Sequence, residues 1–243
     1  MDIINKINKT RYTLKEILED DWDTSTIANL SNEEIEVMYQ NVVDDDFNGC
    51  NFSITNKHLP SVKLHVIYHN LPAVGEIQKK NIKNSFNKIY EKFYKDYFNM
   101  EDSVFIIINE KILEILEKNI NNLNVNIQNE ISEIGISKDI KDEMNDKNYH
   151  LDQKHLGMCH LFYMNDLTIN KLKHRLVPQH KAIRNKQEID EILEKCNCQL
   201  NQLPVILKND AIAKLIRLAV DDICEIKRQS IKSGEYSFYR VCK

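Results

Sequence analysis

His174 and His180 bracket a proline in the run His174-Arg175-Leu176-Val177-Pro178-Gln179-His180, and imidazole is a common ligand for zinc. Two histidines on one helix share a metal at a spacing of three or four, where one turn stacks them. Here the spacing is six, Pro178 interrupts it, and no carboxylate or cysteine stands at a supporting interval. His150, His155 and His160 recur every five residues, which rotates a helix by about 140° per step and scatters the rings around it. Cys196 and Cys198 lack the spacing of a zinc knuckle. With Cys50, Cys159, Cys224 and Cys242 they read as reduced thiols, mostly core filler. The triplet Asp44-Asp45-Asp46 reads as a solvated charge run. These patterns imply neither a metal nor a cofactor.

A second chemistry is metal-assisted cleavage of nucleic acid, which needs carboxylates and a lysine converging at strand ends. Glu225-Ile226-Lys227, with Asp222 nearby, has that form. The expected central strand, 104–108, offers no carboxylate, and three charged residues in so charged a chain match easily by chance. No G-x-G or G-K-S/T phosphate loop occurs, and no cysteine carries a recognisable partner base. Charge is segregated: Lys171–Lys243 holds 15 basic and 9 acidic residues, a balance of +6, which leaves −10 for the rest of a chain whose total is −4. The basic part suits phosphates or an acidic protein surface equally. Its aromatics Tyr236, Phe238 and Tyr239 alternate across a strand, which fits core packing better than a base-stacking platform. A stand-alone nuclease or nucleic-acid-binding protein is thus the alternative reading.

The elements that would position these residues follow from periodicity. Ile3, Ile7, Leu14, Ile17 and Leu18 outline an amphipathic helix, and Ser31-Asn32-Glu33-Glu34 is a capping-box opening for a second. Residues 43–56 read as a polar loop or weak hairpin. A strand over 62–68, a helical stripe over 82–97 and a continuous apolar run over 104–108 predict a βαβ unit with a parallel pair. A helix is expected over 110–118, and the polar stretch 119–154 reads as a linker or an inserted excursion with room for one helix. Strand material at 158–164 and 167–170 should lead into the histidine motif, where Pro178 would start a helix. Beyond it come a helix over 186–198, a short strand over 202–207, a helix capped by Asp210 running to 220, and a hairpin of 223–228 with 236–241. The fold class is therefore α+β overall, with an N-terminal α/β three-layer domain over 1–155 and a small C-terminal α+β module with a mixed sheet over 156–243. With 42% hydrophobic residues the chain can bury a sizeable core. No apolar run approaches the roughly 20 residues that span a bilayer, and the first ten residues lack a secretory signal's apolar stretch, so an intracellular, membrane-free protein is expected.

The separated motifs also form a recognisable series. The histidine run is followed by Gln202-Leu203-Pro204-Val205-Ile206, Asp210, Arg228-Gln229-Ser230 and Ser233-Gly234-Glu235-Tyr236-Ser237-Phe238-Tyr239-Arg240-Val241. In this order the C-terminal part resembles the fifth subunit shared by eukaryotic nuclear RNA polymerases, whose archaeal counterpart has only this module. The family pattern is H-x-L-V-P-K-H, Q-L-P-x-I, D-P and R-x-S-x-T-x-G-x-Y-x-x-Y-R. Gln179 stands where lysine is usual, Ala211 where the proline of D-P is usual, and Arg217 and Asp221 where glycines are expected. The N-terminal part matches more loosely.

The resemblance implies a subunit without catalytic residues. Its C-terminal module would dock on the largest polymerase subunit, among other polymerase subunits, and its N-terminal domain would form a jaw near downstream duplex DNA, contacting it weakly or indirectly. The partner-binding positions implied are His174, Leu176, Val177, Pro178, His180, Leu203, Pro204, Arg228, Ser230, Gly234, Tyr236, Tyr239 and Arg240. The departures, and a composition rich in Asn, Ile and Lys, point to a divergent member encoded by a large DNA virus, working in the virion and host cytoplasm. A cellular member would work in the nucleus.

Overall fold

A computed structural model describes residues 2–44, 47–69, 71, 98–145, 151–230 and 234–243. The helical stripe expected over 82–97, His150, Lys232 and Ser233 lie outside these residues. The chain divides into two compact units, Met1–Glu143 with Leu156–Asn170, and Met144–His155 with Lys171–Lys243.

In the N-terminal unit, helix α1 (Ile3–Leu18) buries Ile4, Ile7, Leu14 and Leu18 along one stripe. Helix α2 (Asn32–Gln40) carries the expected capping box: Ser31 Oγ accepts the Glu34 N–H at 3.2 Å, and Glu34 Oε2 accepts the Ser31 N–H at 2.7 Å. A short ribbon, β1 (Val42–Asp44) and β2 (Phe47–Asn48), precedes a four-stranded sheet. Its order is β3 (Phe52–Thr55), β4 (Lys63–Tyr68), β5 (Ser103–Ile108), β6 (Cys159–Tyr163), antiparallel between β3 and β4 and parallel thereafter. Every residue of β5 is buried, which explains its unbroken apolar run and the parallel pairing predicted from it.

Of the two readings of 119–154, the helix-bearing insertion describes it and the bare linker does not. Helix α3 (Glu114–Ile134) runs through much of it and buries Leu116, Ile120, Leu123, Ile127 and Ile131, and α4 (Lys138–Asn145) follows. Asn124 does more than pack: its amide donates to the Cys159 carbonyl at 2.9 Å and accepts the Cys159 N–H at 2.8 Å. One side chain thereby satisfies both outward backbone groups of a residue on the sheet's edge strand. Residues 158–164, expected to lead the C-terminal module, supply β6 and so complete the N-terminal sheet instead.

The C-terminal unit is a mixed sheet in the order β7 (Gln179–Ile183), β9 (Ile223–Ser230), β10 (Gly234–Cys242), β8 (Val205–Ile206), parallel only between β10 and β8. Pro178 therefore opens a strand rather than a helix, a position where its missing N–H is equally harmless. Helix α5 (Lys186–Cys196) is capped by Asn185 and ends at Asn197 in left-handed backbone, with the Cys198 N–H bonding to the Leu193 carbonyl at 3.1 Å. Helix α6 (Ala211–Leu215) is capped by Asp210, which accepts from Ile212 and Ala213, so the missing proline does not abolish it. It stops well short of 220 because Arg217 adopts φ +54°.

Candidate functional site

Register assigns the β9–β10 residues to faces. Tyr236 lies opposite Arg228, Phe238 opposite Ile226 and Arg240 opposite Cys224, so these six share one face of the sheet. At its inner end Cys224, Ile226 and Cys242 pack with Ile206, Ala213 and Leu218. The other face buries Ile223 and Val241 against Ile183, Ile192 and Leu203, with Tyr239 alongside. Leu203, named by the motif, is thus a core residue, and Tyr239, also named, is half-buried against the same core. Pro204 acts through its carbonyl, which accepts the Val241 N–H at 2.9 Å. Gly234 holds φ +70° with open space where a Cβ would stand, so backbone angle alone selects glycine there. Ser230 pairs with it in the ladder.

Two cationic groups flank Phe238 on this face, Arg228 toward the hairpin tip and Arg240 toward the inner end. The Arg228 and Arg240 guanidiniums lie 5.4 and 5.3 Å from the Phe238 ring centre, and Arg240 donates to the Val205 carbonyl at 2.9 Å. The two motif histidines serve local turns. His174 Nδ1 accepts the Leu176 N–H at 3.3 Å while its carbonyl accepts the Val177 N–H at 2.8 Å. His180 Nδ1 donates to the Pro178 carbonyl at 2.7 Å, and partial burial lowers its pKa. The bend brings residues 175–179 beside 227–229 of β9 and Glu235 and Tyr236 of β10, forming an open groove of about 650 Å³. Five motif residues, Leu176, Val177, Pro178, Arg228 and Tyr236, meet there.

Asp222 does not converge with Glu225 and Lys227. It is buried, where it accepts from Lys154 Nζ at 2.7 Å, His155 Nε2 at 3.0 Å and the Ala219 N–H at 3.0 Å, with Arg184 Nε at 3.7 Å. Burial would raise its pKa, but the bonds and charges of His155 and Lys154 outweigh that and hold it down to about 2. His155 is itself lowered by burial. Its Nδ1 accepts the Asp152 N–H at 2.9 Å, which fixes the neutral tautomer with the proton on Nε2, facing Asp222. Glu225 meanwhile accepts from Ser237 Oγ at 2.6 Å. Nothing in the sequence spacing marks the Asp222 cluster, whose histidine is 67 residues away.

The N-terminal unit has a comparable pair. His65 Nε2 lies 3.1 Å from Asp102 Oδ2, its Nδ1 is 2.6 Å from Ser53 Oγ, and Phe98 stacks on its ring. Asp102 also accepts the Lys63 and Asn99 N–H groups, and Ser53 opposes His65 directly in the ladder. This relay joins β3, β4 and the turn before β5.

The motif-bearing strands and groove are the core of a known small module. Residues 169–242 match the family described as RNA polymerase Rpb5, C-terminal domain. The chain is 41% identical over 68 residues to DNA-directed RNA polymerase subunit Rpo5 of Archaeoglobus fulgidus, covering 28% of this chain and 88% of that protein. For Rpo5 of Pyrococcus horikoshii the figures are 42% over 72 residues, 30% and 87%. For that of Methanococcus maripaludis they are 38% over 68 residues, 28% and 86%. The chain belongs to the Rpb5 and Rpo5 family.

Proposed function

We propose that this chain is a non-catalytic subunit of a multisubunit DNA-directed RNA polymerase, docked on the largest subunit through its C-terminal unit. The observation that carries the reading is the coincidence of two boundaries. The matched segment, 169–242, coincides closely with the self-contained sheet and two helices of that unit, and it accounts for most of each archaeal relative. A module that persists almost alone in relatives named as polymerase subunits suits assembly, and its outward motif residues collect in one groove. The N-terminal unit, on this reading, is the jaw beside downstream DNA. Its acidic balance disfavours tight phosphate contact and leaves restraint by shape. The composition and the departures from the family pattern support a virus-encoded polymerase working in the virion and host cytoplasm.

The geometry argues against the nuclease alternative, since Asp222 is buried among cations and Glu225 is held by Ser237. Expressed with an affinity tag beside its cognate polymerase genes, the full chain should co-purify with the largest subunit, identified by mass spectrometry, and the isolated chain should not cut DNA. Magnesium-dependent cleavage by the isolated chain, abolished by Glu225→Ala, would overturn the reading.

A further inference from the structure

Helix α5 ends in the run Cys196-Asn197-Cys198. Both cysteines are free; Cys196 is exposed and Cys198 half-buried, whereas Cys50, Cys159, Cys224 and Cys242 are buried. Across trans peptides the distance between the Cα atoms of residues 196 and 198 depends only on the backbone angles of the residue between them. Asn197 holds φ 48° and ψ 48°, in the left-handed region. Helical backbone of either hand sets Cα atoms two residues apart at about 5.4 Å, inside the roughly 4.4–6.8 Å that a disulfide spans. The turn is held by the Asn197 N–H on the Glu194 carbonyl at 2.9 Å and the Cys198 N–H on the Leu193 carbonyl at 3.1 Å. The two thiols face each other, since partial burial and the neighbouring Cys196 sulfur, which Cys198 meets in a hydrogen bond, raise the Cys198 pKa. Cys198 also packs with Ile189 and Leu193 against the core that holds Ile192, Ile223 and Val241, on the sheet face opposite Arg228 and Tyr236. The dithiol thus stands away from the groove, with one sulfur open to solvent and the other held beside it.

We infer that Cys196 and Cys198 form a thiol–disulfide exchange site for low-molecular-weight disulfides, the class to which oxidised glutathione belongs. Cys196, the accessible thiol, attacks first: its thiolate takes one sulfur of the small disulfide, that S–S bond breaks, and one small thiol leaves with the proton Cys196 gave up. Cys198 then attacks the Cys196 sulfur of the mixed disulfide, expels the second small thiol, which takes the Cys198 proton, and closes the Cys196–Cys198 bond. The protein pair is oxidised by two electrons and the small disulfide is reduced to two thiols. Proximity drives the second step, because a sulfur already in contact outcompetes a free thiol from solution. The closed ring is tight and its bond is open to solvent, so an excess of reductant returns the dithiol.

The test incubates the full, reduced chain with oxidised glutathione and follows acid-quenched samples by intact mass and peptide mapping. The expected product has lost two hydrogens, retains no glutathione, carries a Cys196–Cys198 bond and leaves the four buried cysteines unreacted; dithiothreitol should restore the starting mass. Cys198→Ser should stop at a stable glutathione adduct on Cys196. Cys196→Ser should react slower by about tenfold or more, because the remaining thiol is half-buried. Circular dichroism should be unchanged in both variants. A wild-type chain that keeps glutathione on Cys196 without closing, equal reaction rates in the two variants, or modification of a buried cysteine ahead of Cys196 would each overturn the inference.

Discussion

Among the described residues each unit buries one histidine–aspartate pair, and the two pairs are built on opposite principles. In the N-terminal unit, Asp102 is surrounded by two backbone N–H groups and His65, and the far nitrogen of His65 meets a serine hydroxyl that can donate or accept. In the C-terminal unit, Asp222 faces Lys154 and Arg184 besides His155, and the far nitrogen of His155 is pinned as an acceptor by a backbone N–H. The first is a hydrogen-bond chain whose histidine ring can reverse its donor and acceptor; the second is an anion that its cations require. The difference teaches that similar His–Asp distances, 3.1 and 3.0 Å, say little about what a pair contributes.

The largest effect should come from replacing each aspartate by asparagine. In Asp102→Asn the new amide's oxygen, in the Oδ1 position, keeps the Lys63 N–H, while its nitrogen takes the Oδ2 position and the part-buried Asn99 N–H loses its acceptor. His65 then moves its proton to Nδ1, which donates to Ser53 Oγ, and its Nε2 accepts from the new amide's N–H, at a cost of about 1 kcal/mol. In Asp222→Asn the His155 ring cannot reverse, and two cations lose their counter-charge. Breaking such a pair costs about 3–5 kcal/mol when fully buried. Because Lys154 is 35% exposed, about 2–3 kcal/mol is expected here. Urea unfolding read by hydrogen exchange of β9 and β10 measures the Asp222→Asn loss. The fluorescence of Trp22, the chain's one tryptophan and buried in the N-terminal unit, measures that of Asp102→Asn. Equal losses would erase the contrast.

Acid should sharpen it next. His155 and His180, both in the C-terminal unit, have pKa values lowered by burial, so the unfolded chain takes up protons first as pH falls below about 6.5. Stability is full above that value and declines below it, by at most about 1.4 kcal/mol per pH unit for each proton. Asp222, lowered from 3.8 to about 2, adds a separate contribution that is present above 3.8 and lost as pH falls through about 2. His155→Gln should roughly halve the decline between pH 6.5 and 5, measured as the urea midpoint of β9 and β10 exchange. An unchanged slope would show that His155 is protonated in the folded state.

How much of this is legible in the sequence depends on whether partners are near one another along the chain. The β9–β10 hairpin can be read because Tyr236 and Phe238 alternate with Tyr239 and Val241, and the two sets do line opposite faces. The Ser31 capping box and the apolar run 104–108 of β5 are equally local signals. Periodicity misses most of helix α3 because asparagines dilute its stripe, and one of them, Asn124, is a buried edge clamp rather than a loop residue. Pro178 misleads because proline is tolerated at the start of either element, and only pairing with β9 decides. The groove and the Asp222 cluster depend on contacts across tens of residues, which no periodicity encodes. Motif resemblance names groove residues such as Leu176 and Arg228 together with core residues such as Leu203, without separating them.

The smallest predicted effect concerns how the two units occupy left-handed backbone. The N-terminal unit uses Gly157 at φ +60°, where a Cβ would stand 2.6 Å from Ile127 Cγ2 and from the Met100 carbonyl oxygen. The C-terminal unit uses Gly234 at its hairpin but also places Arg217 at φ +54° and Asp221 at φ +66°, the two positions where the family resemblance leads one to expect glycine. A side chain in this region costs about 1–2 kcal/mol, while glycine loses about 0.4–1 kcal/mol more backbone entropy on folding. The balance favours glycine by about 0.5–1 kcal/mol at Arg217, whose carbonyl keeps its 3.0 Å bond from Arg184 whatever the side chain. Arg217→Gly should therefore raise the thermal midpoint of the C-terminal unit by a few degrees, whereas Gly157→Ala should lower that of the N-terminal unit. Destabilisation by Arg217→Gly would mean that the arginine side chain stabilises the fold by more than its backbone strain destabilises it, and that the departure from glycine is compensated on the spot.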